Sequence, residues 1–384
     1  MTGPDGDRAA TFHSYQSRRV VTAHGPVTVS RAYYYCGRCH QGFLPYDAAL
    51  GLRDEIRPGF RPLVCLAGTP APFADAAEDI LRRYTGVRVS ASTVLRCTEA
   101  DGERLRAPLR DGRMVTPAAA EPGGTATRDG QLPAAYRDGQ LPAAYLGRDA
   151  FRVPMPGVRG GRADHRMLYT AVVYTPDKKH HRYLVDFELD VLAEQVRDQA
   201  RACGRTDVGQ LIAITDGGNG LEEALHRHLA ADLTTILDWS HAAERLGDFA
   251  RAWFGSDEPA RVGWYDTAKG VLYEHGGEEL LAHLRGVEVP AGTSEDAREE
   301  WRTVIGYVEN NRHRTDDPVY RAKGWDIGSG PTEAGCKIIG ERLKGSGMRW
   351  AYDGAATVGA LRALYVSGPK VWDGFWSQPQ TLAA

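Results

Sequence analysis

The sequence predicts an α/β protein, and three observations support this. Apolar, strand-like runs alternate with segments of helical periodicity through residues 146–238, as they do when helices cover a sheet. The apolar run 211–215 ends in Asp216 and two glycines, the arrangement by which an open sheet presents functional side chains. Residues 240–325 have an almost wholly helical pattern.

The composition indicates a globular protein with two or three domains. The chain has 384 residues, of which 42% are hydrophobic and 25% charged. A formal net charge of -3 argues against a wholly basic nucleic-acid binder but leaves room for local basic patches. We find no signal-peptide pattern, no apolar run of membrane-spanning length and too few cysteines for a disulfide scaffold, so we expect a cytoplasmic protein without membrane contact.

Residues 12–47 predict a β-hairpin that runs into a cysteine pair. Cys36 and Cys39 have the spacing of a zinc-ribbon knuckle. Structural Zn²⁺ usually takes two such pairs, so His13 and His40, or an upstream segment, would have to complete the site. We favour two reduced cysteines in a turn and keep Zn²⁺ as the alternative.

A helix-turn-helix-like region is predicted next. Residues 73–84 place apolar side chains at helical spacing, Gly86 ends that helix, and Ser90 can cap the following one. Helix, glycine turn and Ser/Thr-rich helix start are typical of DNA-binding helix pairs, although a plain helical hairpin has the same pattern. Residues 81–113 also hold eight arginines against four acids, which favours a polyanionic partner.

A linker separates this region from the core. It contains a perfect tandem nonapeptide, 128–136 repeated at 137–145. Two copies are too few for a repeat fold, so we interpret them as a duplication tolerated in a surface loop. The predicted units are residues 1–50 (hairpin and knuckle), 51–112 (helix-turn-helix-like), 113–145 (linker), 146–239 (core), 240–325 (helical insertion) and 326–384 (completion of the core).

The core elements follow the order of a ribonuclease-H-like fold, in which an antiparallel meander precedes a helix and parallel strands. The predicted strands are 167–174, 181–187, 211–215 and 234–237, and the predicted helices are 190–203 and 221–229.

Three carboxylates are candidate ligands for divalent metal ions. Asp216 stands at a strand end, and Glu333 follows a Gly-Ser-Gly-Pro turn at the start of a helix, although either acid could simply cap a helix. Asp149 is our first ligand, with Asp186 as the alternative. Two-metal phosphoryl transfer needs such oxygen ligands around Mg²⁺.

Basic residues follow the last of these acids. Residues 336–350 hold four basic side chains and one acid, which suits contact with a phosphate backbone. The residues expected to contact DNA are Arg88, Ser92, Lys337, Arg342, Lys344 and Arg349.

Taken together, these motifs resemble the Asp-Asp-Glu transposases of bacterial insertion sequences. The match is to the ISKra group, related to the Mutator-like superfamily. It rests on Asp216-Gly-Gly, Asp238-Trp-Ser-His241, the Gly-Ser-Gly-Pro-Thr-Glu run ending at Glu333, and the basic segment 343–350, with further likeness at 34–42 and 85–94. It therefore covers most of the chain.

The resemblance implies a ribonuclease-H-like domain interrupted by a helical insertion. Asp149, Asp216 and Glu333 would bind Mg²⁺ or Mn²⁺, and Asp238 and His241 would form an accessory motif. Asp149 lies in an Arg-Asp-Ala context where the family more usually has Asp-Gly.

The implied function is DNA cleavage at the ends of an insertion sequence, followed by strand transfer into target DNA. The implied partners are the terminal inverted repeats, target DNA and further copies of the chain in a homodimer or higher oligomer, and the implied location is the nucleoid. The alternatives are a catalytically inactive remnant that only binds DNA and a general nuclease of the same fold.

Overall fold

The structure is a computed structural model, and it describes most of the chain. The described residues are 10–52, 54–113, 144–157, 161, 164–202, 211–218, 221–229 and 233–378. Of the tandem nonapeptide only Ala144 and Tyr145 fall within these ranges, so the predicted surface loop lies outside the described residues.

Eight strands, fourteen helices and one short 3-10 helix (Arg312–Arg314) are present in these ranges. The strands are β1 (Thr11–Thr22), β2 (Gly25–Tyr35), β3 (Gly42–Phe43), β4 (Ala144–Met155), β5 (Asp164–Tyr174), β6 (His181–Asp186), β7 (Leu211–Thr215) and β8 (Leu233–Leu237). The helices are α1 (Pro45–Leu50), α2 (Arg61–Gly68), α3 (73–85, with a π-helical stretch over Ala76–Leu81), α4 (Ala91–Arg110), α5 (Leu189–Ala202), α6 (Leu221–His228), α7 (Trp239–Phe254), α8 (Glu258–His275), α9 (Gly277–Arg285), α10 (Glu295–Asn311), α11 (Asp317–Ala322), α12 (Gly330–Leu343), α13 (Tyr352–Val366) and α14 (Pro369–Ser377).

The amino-terminal region contains the predicted hairpin. β1 and β2 pair antiparallel, and β3 adds a short third strand. The helix break predicted at Gly86 is also confirmed, since that glycine ends α3 with a φ of +72°. Ser90 then caps α4 as predicted, because its side chain accepts the Thr93 N–H at 3.1 Å.

The central sheet has five strands in the order β6-β5-β4-β7-β8. β4, β5 and β6 pair antiparallel, whereas β4, β7 and β8 are parallel, which confirms the α/β class. β4 begins two residues inside the predicted linker. Tyr145 explains the difference, because its buried ring stacks on Tyr174 at 5.2 Å and its hydroxyl accepts the Asp326 N–H at 2.8 Å.

Helices cover both faces of this sheet. Because alternate residues of a strand point to opposite faces, each strand contributes to two cores. One core holds Leu146, Val173, Leu192, Ala213 and Leu225, under α5 and α6. The other holds Tyr145, Val172, Ile212, Ile339 and Leu361, and it receives α4, α12 and α13.

The helical segment between β8 and α12 builds a third core of its own, which confirms the helical pattern predicted for 240–325. Its buried residues include Leu246, Phe249, Leu272, Leu280 and Val304. Capping residues mark where its helices begin: Asp257 accepts the Ala260 N–H and Ser294 accepts the Ala297 N–H, each at 3.2 Å. Nowhere in the described ranges is a helix both long and apolar enough to cross a bilayer.

One buried acid in this segment gives a pH-dependent prediction. Asp317 is 2% exposed, and burial raises its pKa from 3.8 to about 7, with Arg321 opposing the shift and Asp316 adding to it. The folded protein therefore keeps a proton that the unfolded chain releases near pH 4, so this group lowers stability as the pH rises from about 4 to about 7.

We expect Asp317→Asn to be more stable than the wild type at pH 8 by roughly 2–4 kcal/mol, because three pKa units correspond to about 4 kcal/mol. The difference should shrink towards zero at pH 4. Urea unfolding at both pH values tests this, with Asp266→Asn, which changes an exposed acid of α8, as the control. If the two proteins differed in stability by the same amount at both pH values, the charge of Asp317 would not be the cause of the difference.

Candidate functional site

Three acids stand side by side at one edge of the central sheet. The parallel ladder that joins β4, β7 and β8 ends at Arg148, Thr215 and Leu237. The next residue after each of these is an acid: Asp149, which lies within β4, and Asp216 and Asp238, which directly follow β7 and β8. Neighbouring strands lie about 4.8 Å apart, so the backbone positions of the three acids form a short row.

The row faces the helix that carries Glu333. In β4, Tyr145 and Phe151 enter the core beneath α12, and Asp149 shares their side of the strand by the two-residue alternation. Gly147 is on this side as well, and a Cβ there would overlap the Thr332 side chain. This close approach places the first turn of α12 beside the acidic row.

Asp238, His241 and Glu333 form the tightest group of possible metal ligands. One ligand atom from each lies within 4.8 Å of the other two, and no other group of three His, Cys, Asp or Glu residues meets this limit in the part of the chain that the structure describes. Asp238 caps α7, His241 lies in the first turn of α7, and Glu333 lies in the first turn of α12. Two helix starts therefore meet at the sheet edge.

Asp238 is fully buried and already accepts three hydrogen bonds. Its Oδ1 accepts the Ser240 N–H at 2.8 Å, and its Oδ2 accepts both the N–H of Ser329, at 3.1 Å, and the Ser329 hydroxyl. The Ser329 carbonyl in turn accepts the N–H groups of Thr332 at 2.8 Å and Glu333 at 3.1 Å. Asp238 thus holds the turn from which Glu333 projects.

Two tyrosines attach the same segment to the sheet. The Tyr183 hydroxyl donates to the Pro331 carbonyl at 2.8 Å, and Gly335 lies against the Tyr183 ring with no room for a Cβ. Tyr145 accepts the N–H of Asp326, as described above. Segment 326–335 is therefore fixed at several points, and the position of Glu333 is set by the sheet beneath it.

Burial and neighbouring acids together set the electrostatics of Glu333. Burial raises its pKa, Asp238 and Asp149 raise it further, and His241 opposes the change. The thiol of Cys336, one turn further along α12, interacts with Asp149 by a hydrogen bond, and burial followed by the Asp149 charge raises the pKa of Cys336 to about 12. The thiol therefore stays protonated and can donate to the Asp149 carboxylate.

Asp216 lies in the middle of the row. Its Oδ1 accepts the Gly218 N–H at 3.0 Å, within the turn that follows β7. The Tyr307 hydroxyl donates to its backbone carbonyl at 3.1 Å, which ties the helical segment to the site. Burial lowers the pKa of Arg148, while the charges of Asp216 and Asp149 oppose this shift. The positive charge of Arg148 therefore partly balances the negative charges of Asp149 and Asp216.

The predicted ligands Asp149, Asp216 and Glu333 all lie at this edge, but their ligand atoms do not come within 4.8 Å of one another. Their role as ligands stays a prediction. The alternative first ligand, Asp186, is fully buried and is placed against Arg106 at 3.7 Å and Arg110 at 3.5 Å. The charge of Asp186 is thus balanced by two arginines of α4, so Asp149 is the better candidate for the first metal ligand.

The cysteine pair forms a tight turn. The Cys36 carbonyl accepts the His40 N–H at 3.0 Å, and the His40 ring is 3.0 Å from the Tyr35 hydroxyl. Neither Cys36 nor Cys39 belongs to a group of three possible metal ligands among the described residues. The Zn²⁺ site also stays a prediction.

Five of the six predicted DNA contacts are exposed: Arg88, Ser92, Lys337, Lys344 and Arg349. Arg342 requires a correction, because it is 3% exposed and cannot face a phosphate backbone. Its guanidinium donates to the Gly68 carbonyl at 3.1 and 3.3 Å and lies over the Phe73 and Trp350 rings. Burial, with the nearby Arg362, lowers its pKa to about 10.

Arg342 is therefore expected to affect stability. We expect Arg342→Ala to lower the free energy of unfolding by roughly 2–4 kcal/mol, since the Gly68 carbonyl loses its donors and two rings lose a packing partner. Lys337→Ala, on the exposed side of the same helix, should leave stability unchanged and reduce the salt dependence of DNA binding. Urea unfolding and DNA titrations at several salt concentrations separate the two effects. Equal stability of the two variants would contradict the structural role.

Comparison of the chain with models of known protein families and with curated protein sequences gives no match.

Proposed function

We propose that the protein is a divalent-metal-dependent DNA transposase with a ribonuclease-H-like catalytic core. The observation that carries the proposal is the row formed by Asp149 in β4 and by Asp216 and Asp238 directly after β7 and β8, with Glu333 placed at the same edge by a separate helix. The strand order, with a meander followed by two parallel strands, supports the core assignment. The helical segment with its own core lies between Asp238 and Glu333, as an insertion in such a transposase would.

The donor chemistry at this edge fits Mg²⁺ or Mn²⁺. Carboxylate oxygens are the ligands that these hard cations prefer. Burial and then the charges of Asp238 and Asp149 raise the pKa of Glu333, and a bound cation would favour its charged form. When bound, a pair of such ions supplies activation of the attacking oxygen and stabilisation of the leaving oxygen.

We assign different tasks to the residues at the edge. Asp149, Asp216 and Glu333 would hold the ions. Asp238 would position Glu333 through Ser329, because its oxygens are already engaged by three donors. His241 is 30% exposed and close to Glu333, so it can contact the DNA or orient a reacting group. Exposed Lys337 and Lys344 on and just after α12 would hold the phosphate backbone.

The test uses the full chain, a supercoiled plasmid that carries the DNA flanking the reading frame, and a labelled oligonucleotide with a free 3′-hydroxyl. We expect nicking and joining in Mg²⁺ and neither in EDTA. An inactive remnant would shift the DNA in a gel without cutting it. A general nuclease would cut without joining, so either result would overturn the transposase assignment.

A further inference from the structure

The amino-terminal hairpin carries a row of partly exposed aromatic rings. Phe12 lies 5.2 Å from Tyr15 and 6.1 Å from Tyr34, and Tyr34 lies 5.8 Å from Phe43, measured between ring centroids. Phe12 is 51% exposed and Tyr15 is 73% exposed. Rings this exposed gain little from packing within the protein, which points to a ligand for them.

The row occupies one face of the β1–β2 ribbon. A bulge between Phe12 and Ser14 shifts the register, and Tyr15 then alternates along β1 with exposed Ser17 and Arg19. The opposite face is occupied, because Arg18 and Arg31, which alternate with those residues, reach Asp47 on α1. The aromatic face is thus separated from the face that α1 covers.

The charge of the hairpin favours a polyanion. Residues 11–46 contain four arginines and no acid. Asp47 neutralises part of the charge of Arg18 and Arg31. Arg19 and Arg38 are exposed and form no salt bridge with any residue that the structure describes. Exposed rings on a hairpin that also carries unneutralised arginines suit phosphates and bases better than they suit a neutral protein surface.

We infer that the Phe12–Tyr15–Tyr34–Phe43 row binds single-stranded DNA. Aromatic side chains stack on bases only where the bases are unpaired, at about 1–3 kcal/mol for each base, and arginines beside them attract the backbone. A duplex hides its base faces and would leave these rings without a partner. The inference rests on the proposed function for the choice of DNA, since strand cleavage and transfer leave unpaired bases beside the site.

Fluorescence anisotropy with a labelled single-stranded oligothymidylate, in EDTA, tests the inference without any cleavage. We expect tighter binding to this strand than to a duplex of equal length, and at least a tenfold loss in Phe12→Ala/Tyr15→Ala. Tyr46→Ala is the matched control: Tyr46 is also 51% exposed but lies on α1 outside the row, and its loss should change affinity less than twofold.

Unchanged affinity in the double variant, a preference for duplex, or tighter binding to an RNA strand of equal length would overturn the inference. So would a double variant that lost self-association in light scattering but kept DNA affinity, since the row would then be a contact between two copies of the chain. Because the assay contains no divalent ion, failure of the proposed catalytic function would leave its result unchanged. If the double variant loses affinity for single-stranded DNA, plasmid nicking still tests the proposed catalytic function independently.

Discussion

Asp216→Asn is expected to reduce Mg²⁺-dependent strand cleavage at least about a hundredfold, the scale of loss when a group that stabilises developing charge is removed. The amide oxygen of asparagine can still accept the Gly218 N–H, so the local turn should survive. Only the negative charge in the middle of the acidic row is lost. DNA affinity should stay within about twofold of the wild type, because the exposed cations proposed to contact phosphates are unchanged.

Cleavage and binding should be measured on the same preparation, by plasmid nicking and by anisotropy with a DNA duplex. Asp266→Asn is the matched control, because Asp266 is an exposed acid of α8 that does not belong to the row. We expect it to cleave like the wild type. Equal loss of cleavage and of DNA affinity in Asp216→Asn would contradict a metal-ligand role and indicate a general loss of structure.

Asp238→Ala is expected to lower stability and to release the turn before Glu333. The substitution leaves two buried donors of Ser329 and one partly buried donor of Ser240 without their acceptor. We expect a loss of roughly 3–5 kcal/mol in the free energy of unfolding, because each buried donor left without an acceptor costs about 1–3 kcal/mol. Hydrogen exchange should become faster over residues 326–335, which Asp238 holds through Ser329.

Asp257→Ala is the matched control for this change. Asp257 also caps a helix, since it accepts the Ala260 N–H at 3.2 Å, but it is exposed. Its loss should cost about 1 kcal/mol and leave exchange at 326–335 unchanged. If Asp238→Ala were as mild as Asp257→Ala, with normal exchange in that segment, the positioning role of Asp238 would be wrong.

Sequence patterns predicted those parts of the fold that depend on interactions between residues close in sequence. The strand at 211–215, the helix cap at Ser90 and the helical segment after β8 follow from apolar periodicity and capping chemistry within a few residues. The helix start that carries Glu333 follows from its glycine and proline turn in the same way. These elements were predictable because their partners are close in sequence.

What escaped prediction depends on contacts between distant segments. A basic run gives no sign that Arg342 is buried, because its partner Gly68 lies in another region of the chain. Two hydrogen-bonded contacts likewise join segments that no local pattern connects: Asp238 with Ser329, and Cys336 with Asp149. The position of Arg148 near the acidic row could have been predicted, because this arginine directly precedes Asp149 in the sequence.

The central claim is that Asp149, Asp216 and Glu333 hold the divalent ion, with Asp238 as a support. Crystals of the full chain grown or soaked with Mn²⁺ test it most directly, because anomalous scattering locates the ion without reference to activity. We expect an anomalous peak about 2.0–2.4 Å from carboxylate oxygens of Asp149, Asp216 and Glu333, with the Asp238–Ser329 hydrogen bonds intact. A peak bound by Asp238 and His241, with Asp149 and Asp216 empty, would contradict this assignment.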